Sequence, residues 1–183
     1  FNTRDHTERL IQFLGHDKKG YKKFYIKGFQ YIVPGDISSA AFLIAATLLI
    51  PKSNITINSL IFNKTRRGYI EALQRMGANI SIQNKTIHQN ETICDLTIKY
   101  TEKLKAINIS SNEIVSMIDE VPIFSLVCAH ADGTSIIHGA NELRYKESDR
   151  INSITHNFNK LKITISEHKD GITIAGPNIL YNT

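Results

Sequence analysis

Cysteine is scarce. The chain holds two, Cys94 and Cys128, too few for a disulfide framework and without the paired spacing of a metal motif. Both stand in apolar runs and are expected to be buried thiols of a reducing compartment. The seven histidines are scattered without zinc-ligand spacing, so no metal or cofactor is expected. Long apolar runs are also missing. The longest, Ala40 to Pro51, is broken by Thr47 and is too short to span a bilayer. No basic run exceeds three residues and no single-stranded-binding aromatic motif is present, which argues against a nucleic-acid partner. No signal-peptide pattern is read at the start. Opening at Phe1 without a methionine reads as a piece of a longer polypeptide.

What is present is the balance of a globular protein. Of 183 residues, 42% are hydrophobic and 21% charged, enough for one domain or one and a fraction. The net charge of +5 is spread along the chain and suits attraction of small anionic substrates. A bias toward Lys, Asn and Ile accounts for much of it. The expected location is cytoplasmic, with no membrane partner.

Residues 1–15 read as the start of a helix. Asp5 and Glu8 have capping-box spacing, Leu10, Ile11 and Leu14 form the apolar side, and Gly15 is the stop. Phe24 to Lys27 and Gln30 to Val33 alternate as half-buried strands do. Pro34-Gly35-Asp36 is a breaker. The helix from Ala40 to Leu49 is apolar all round and is expected to be buried on every side. Asp36 and Ser38 are read as its N-caps rather than as catalytic groups. Ile55 to Ile61 is a strand. Asn63 to Gly68 leads into a helix carrying Tyr69, Ile70, Leu73 and Met76, closed by Gly77, and Ile80 and Ile82 begin another strand. Further strands are expected at Cys94–Ile98 and Leu104–Ile109.

The second half repeats this order. Asp119 precedes the apolar helix Pro122–His130 as Asp36 precedes the first, at 119 − 36 = 83 residues. Ser135–His138 answers the strand near Ile55, Ile151–Leu161 the helix Tyr69–Met76, and Ile163 answers Ile80. Two units of strand–helix–strand–helix–strand–strand form an internal duplication. All-apolar helices packed together, with sheets outside, would satisfy both units. Lys160 falls where the first unit has Gly77, so a left-handed helix end there would carry a steric cost unless Asn157 or Asn159 caps instead.

The densest chemistry lies in Asn141-Glu142-Leu143-Arg144-Tyr145-Lys146-Glu147-Ser148-Asp149-Arg150, with three cations and three acids in ten residues. Ser148 and Asp149 are N-cap types, and Ile151, Ile154, Phe158 and Leu161 follow at helical spacing. Lys146, Glu147 and Arg150 therefore stand at a strand-to-helix junction, where side chains converge. Taken alone, such a decapeptide is most simply a solvated helix start with ordinary ion pairs.

Glu-Leu-Arg-x-Lys-Glu-Ser-Asp-Arg resembles the signature of the EPSP synthase family. Four other segments resemble that family in its order: Thr3-Arg4-Asp5-His6-Thr7-Glu8, the Gly-Asp-x-Ser-Ser-Ala beginning at Gly35, the Asn-x-x-Arg-x-Gly beginning at Asn63 with Met76-Gly77-Ala78, and Asp119-Glu120-Val121-Pro122. The resemblance implies an α+β fold of repeated βαβαββ units with buried helices and outer sheets, part of an inside-out barrel lobe built from three such units. It implies a lobe crossing at Pro34–Asp36. Residues 1–33 would end one lobe, and 34–183 would hold two repeats of the other, about 34–110 and 111–177.

The implied activity is transfer of the enolpyruvyl group of phosphoenolpyruvate to the 5-hydroxyl of shikimate 3-phosphate, by a complete enzyme that is monomeric. That chemistry needs a protonated acid, an ionised base and several cations. By resemblance Asp119 is the base and Glu147 the proton donor. Arg4 and Lys146 hold the shikimate phosphate, and Arg150 holds phosphoenolpyruvate. Glu142 is left out. The Asn-x-x-Arg-x-Gly loop is read as architectural. The family's early lysine and arginine, its Ser-Ser-Gln segment, and its late Asp-His-Arg segment and terminal lysine have no counterpart here. They are expected outside these residues, so the fragment alone is expected to be inactive. Two other classes stay open: a UDP-sugar enolpyruvyl transferase and a non-catalytic repeat scaffold.

Overall fold

A computed structural model describes residues 4–15 and 27–178. Helix α1 (His6–Phe13) comes first. The next stretch holds α2 (Ile37–Leu49), β1 (Asn54–Ile61), α3 (Gly68–Arg75), β2 (Ile80–His88) and β3 (Glu91–Lys99). Then come β4 (Asn108–Ile109), the one-turn α4 (Ser111–Ile114), a 3-10 turn at Ile118–Glu120, and α5 (Val121–His130). The chain continues through β5 (Gly133–Ile137), a 3-10 turn at Asn141–Tyr145, α6 (Arg150–Lys160), β6 (Ile165–His168) and β7 (Gly171–Gly176).

Two sheets repeat one plan. The first has the order β1-β3-β2, the second β4-β5-β7-β6. In each, the last two strands form an antiparallel hairpin whose final strand takes the middle place beside the earlier one. The second sheet adds β4 parallel to β5. The first keeps only a trace of that edge: Gly35 bridges Leu60 in parallel, donating its N–H to Ser59 O at 2.8 Å and accepting from Ile61 N at 2.9 Å.

The strand expected at Gln30–Val33 does not form. Its backbone is served by a side chain instead, with Ile32 N donating to Gln89 Oε1 at 3.0 Å and Gln89 Nε2 donating to Gln30 O at 3.1 Å. The neighbouring edge is also broken, because β1 shifts register between Ile57 and Leu60 and Ser59 takes φ +55°. The expected strand at Phe24–Lys27 lies outside the described residues except for Lys27. The strand expected at Leu104–Ile109 shrinks to Asn108–Ile109, with a separate bridge from Lys105 to Asp132.

The helices lie against the inner faces of the sheets. Buried Leu60, Leu96 and Ile98 line one sheet and Ile137, Ile172 and Ile174 the other. Helix α2 packs on α5. Tyr69 of α3 ties the seam: its ring meets Phe124 edge-on at 6.1 Å and its hydroxyl donates to Ala41 O at 3.2 Å. Fully burying such a side chain contributes about 1.5–3 kcal/mol. Helix α5 is buried as its composition requires. Helix α2 is not buried on every side. Ile37, Ala41, Ile44 and Leu48 are inside, whereas Phe42 is 63% and Leu43 59% exposed. Burial raises the Cys94 thiol to about 11 and the Cys128 thiol to about 12. Among the described residues, no helix is long and apolar enough to cross a membrane.

Helix ends depart from expectation in four places. Asp36 alone caps α2; Ser38 lies inside the helix and donates to Glu120. Asp5 occupies the N-cap of α1, but its carboxylate accepts from Thr65 Oγ1 at 3.1 Å and pairs with Arg9 rather than capping the helix. The N-cap of α6 is Asp149 alone, accepting from Asn152 N at 3.0 Å. The counterpart of Gly77 is Lys162, not Lys160. Gly77 has φ +89° and Lys162 φ +58°, and the following amides close the same bonds, Ala78 N to Leu73 O and Ile163 N to Phe158 O. Two residues are therefore gained along the second unit, and Ile165 rather than Ile163 pairs as Ile80 does.

Candidate active site

Asp119 sits in the 3-10 turn that delivers the chain into α5. Its counterpart Asp36 is a true N-cap, accepting from Ser39 N at 2.8 Å. Asp119 is not one: Glu120 takes that place, and the Asp119 carboxylate turns to cations. Arg4 donates to its Oδ2, Arg66 Nη1 stands 3.8 Å from Oδ2, and Arg150 Nη1 stands 3.8 Å from Oδ1. Three elements distant in sequence thus meet at one carboxylate: the segment before α1, the β1–α3 loop and the first residue of α6.

Arg4 reaches Asp119 because its segment is held from below. Arg4 itself takes φ +55°. The next residues are anchored on β3: His6 Nδ1 lies 2.8 Å from Oε1 of buried Glu91, Asn63 donates to the other oxygen, and Arg9 Nη1 donates to Asn90 O at 2.9 Å. Burying a carboxylate requires such partners.

On the other side, Arg150 Nη2 donates to Glu147 Oε2 at 2.6 Å. Glu147 is 82% exposed. Its own backbone amide holds its carboxyl below the usual value, aided by Arg150 and then Lys146. The ion pairs therefore run Arg4–Asp119–Arg150–Glu147. Lys146 stands beside this chain, donating to Glu142 Oε1 at 2.6 Å. That bond lowers the Glu142 carboxyl, and the charge of Arg4 adds to the effect. All five residues expected to carry the chemistry, Arg4, Asp119, Lys146, Glu147 and Arg150, thus belong to one charged cluster.

Arg144, in the same decapeptide, does not. It donates to Asp149 and Glu167 at 2.9 Å each and to the carbonyls of Lys169 and His168. It fastens the loop to β6 and to the turn that follows. Arg66, read from its motif as architectural, also reaches this cluster, with Nη1 3.8 Å from Asp119 Oδ2. Its side chain is only 11% exposed. The duplication held the signal: Arg66 precedes α3 in one unit, and Arg150 opens α6 in the other. A groove of about 940 Å³ lies elsewhere, between α3 and the α4 segment, and includes none of the cluster.

The model of the EPSP synthase (3-phosphoshikimate 1-carboxyvinyltransferase) family matches residues 3–183. The 3-phosphoshikimate 1-carboxyvinyltransferase of Endomicrobium trichonymphae is 44% identical over 181 residues, covering 95% of this chain and 42% of that protein. The enzyme of the same name from Carboxydothermus hydrogenoformans is 42% identical, over 99% of this chain and 44% of its own length. A solved EPSP synthase from Acinetobacter baumannii superposes with a TM-score of 0.88 at 35% identity, over 96% of this chain and 41% of that one. The enolpyruvyl transferase NikO from Streptomyces tendae, at 15% identity and a TM-score of 0.55, shares the fold alone. The chain spans less than half the length of the curated relatives it matches. With the match running over nearly all of its residues, this chain belongs to the EPSP synthase family.

Proposed function

We propose that this chain, within a complete enzyme, joins phosphoenolpyruvate to the 5-hydroxyl of shikimate 3-phosphate and releases phosphate. The observation that carries the reading is the meeting of Arg4, Asp119, Arg150 and Glu147 in one run of ion pairs. Asp119, the acceptor of the hydroxyl proton, is surrounded by cations that keep it ionised. Arg150 takes the phosphoenolpyruvate carboxylate, which suits a guanidinium fork. Arg4 and Lys146 take the shikimate phosphate. Without substrates these cations are occupied by Asp119, Glu147 and Glu142. Two incoming anions exchange with those carboxylates. Glu147 then loses its arginine partner and faces added negative charge, so its pKa rises and it can protonate the enol carbon.

Residues 1–33 end one lobe and 34–183 belong to the other, with repeats at about 34–110 and 111–177. Support comes from α1, which buries none of its side chains and is tethered to the β2–β3 hairpin, outside the α2–α5 seam. The unpaired, buried cysteines fit a cytoplasmic location. The complete enzyme acts as a monomer. The deciding experiment expresses the complete reading frame and measures phosphate release. Release that requires both shikimate 3-phosphate and phosphoenolpyruvate is expected. Release with a UDP-sugar acceptor instead, or with neither acceptor, would sink the reading.

A further inference from the structure

Of the cations around Asp119, two are open to solvent and one is not. Arg4 is 43% exposed and Arg150 29%, against 11% for Arg66. Arg66 is also fixed. Its Nη2 donates to Ser38 Oγ at 2.6 Å, lies 3.3 Å from Asp36 Oδ1, and lies 3.9 Å from Glu120 Oε1. Ser38 in turn donates to Glu120, so the hydroxyl cannot rotate away without depriving the buried carboxylate of a hydrogen bond. Asp36 is fixed as the cap of α2. One arm of the guanidinium is thus tied to the start of α2 and to Glu120, and the other arm, Nη1, faces Asp119.

We infer that Arg66 is the positioning residue of Asp119, holding the carboxylate ionised and oriented when Arg4 and Arg150 turn to the substrates. This rests on the function proposed above. Arg4 and Arg150 have substrate anions to meet. Arg66 is screened from solvent and already satisfied on its far side, so it stays. A base that lost every cationic partner on substrate binding would drift in position and in proton affinity; Arg66 prevents both. Arg66 lies just before α3 and Arg150 at the start of α6, so each unit supplies one arginine to the same carboxylate.

The test uses the complete enzyme. In Arg66→Met, kcat should fall by about 10²-fold, the cost of a misplaced reacting group, with KM for both substrates changed far less. An opposite charge within about 4–6 Å lowers an aspartate by about 1–3 units, so the acidic limb of kcat should move up by about that amount. The direction follows from the role: a base must be ionised, and a higher pKa means activity is lost sooner as pH falls. Arg66→Lys keeps the charge but not the fork, so it should restore the limb and only part of kcat. If both variants keep the wild-type limb, or lose KM instead of kcat, Arg66 has no such part. A second readout needs neither turnover nor a well-behaved Met variant. The Asp119 carboxyl, followed by carbon NMR with shikimate 3-phosphate present, should titrate higher in Arg66→Met, or at least broaden into several environments in Arg66→Lys. An unchanged Asp119 signal in both would overturn the inference. A complete wild-type chain without turnover would defeat the proposed function, while this titration would still decide the part played by Arg66.

Discussion

Arg144 and Arg150 are six residues apart and end on different partners. Arg150 reaches Asp119 and Glu147, while Arg144 is spent on Asp149, Glu167 and two backbone carbonyls. In the complete enzyme Arg150→Ala should weaken phosphoenolpyruvate use by roughly 2–5 kcal/mol, as for a lost charge-assisted contact. Arg144→Ala should leave that affinity nearly unchanged and lower thermal stability instead. Equal effects on kcat/KM would mean the ligand is misplaced. Glu147→Gln tests the acid. It should keep substrate binding and lose kcat by about 10²–10⁴-fold, with slower solvent-proton exchange into the methylene group. Loss of binding with kcat preserved would make Glu147 a mere partner of Arg150. At this scale the site was legible wherever a residue sat in a dense motif. Arg66 was not, because its chemistry comes from burial and from Asp36, Ser38 and Glu120, which lie far from it in sequence.

Helix termini show how elements were read well in place and less well in detail. Apolar spacing located α2, α3, α5 and α6. It could not show that Asp5 would prefer Thr65 and Arg9 to its own helix end, because those partners arrive only with the fold. Nor could alternation reveal that Gln30–Val33 would lose its ladder to the side chain of Gln89. The two-residue gain before Lys162 has a measurable cost. A left-handed lysine is strained by about 1–2 kcal/mol, part of which glycine returns through its freer unfolded chain. Lys162→Gly should therefore stabilise the complete protein by about 0.5–1 kcal/mol in urea melts, and Gly77→Lys should destabilise it. A Lys162→Gly protein no more stable than wild type would mean the turn relaxes in solution.

The caps also set an acid limit. Burial works to raise the Asp36 carboxyl, but the Ser39 amide and hydroxyl and the charge of Arg66 outweigh it and leave it below its usual value. The Asn152 amide, with Arg144, lowers Asp149. Both folded pKa values lie below the unfolded ones. Their stabilisation is present above the unfolded value, about 3.9, and fades as pH falls through the folded values. Stability should decline less steeply on acidification in Asp36→Asn and Asp149→Asn than in wild type, and chemical denaturation at a series of acid pH values would show it.

At the scale of the whole molecule, the duplication was legible because each unit carries the same order of strands and apolar helices. The full circumference of α2 was misjudged, since composition says a surface is apolar but not what stands against it. Phe42 and Leu43 of α2, and Ile50 at its end, remain exposed. Residues 1–183 alone should release no phosphate at a rate near that of the complete enzyme, as they span less than half the length of the curated relatives they match. A purified fragment that turns over would overturn this. The open side of α2 has a further consequence for connectivity. If the third repeat implied by the family resemblance covers α2, one polypeptide tethers it there at an effective concentration on the order of millimolar. Supplied as a separate chain at micromolar levels, it would have to find α2 by diffusion and hold it by affinity alone. A split enzyme should therefore recover turnover in proportion to the second piece until saturation, and a polar change at Phe42 or Leu43 should raise the concentration required.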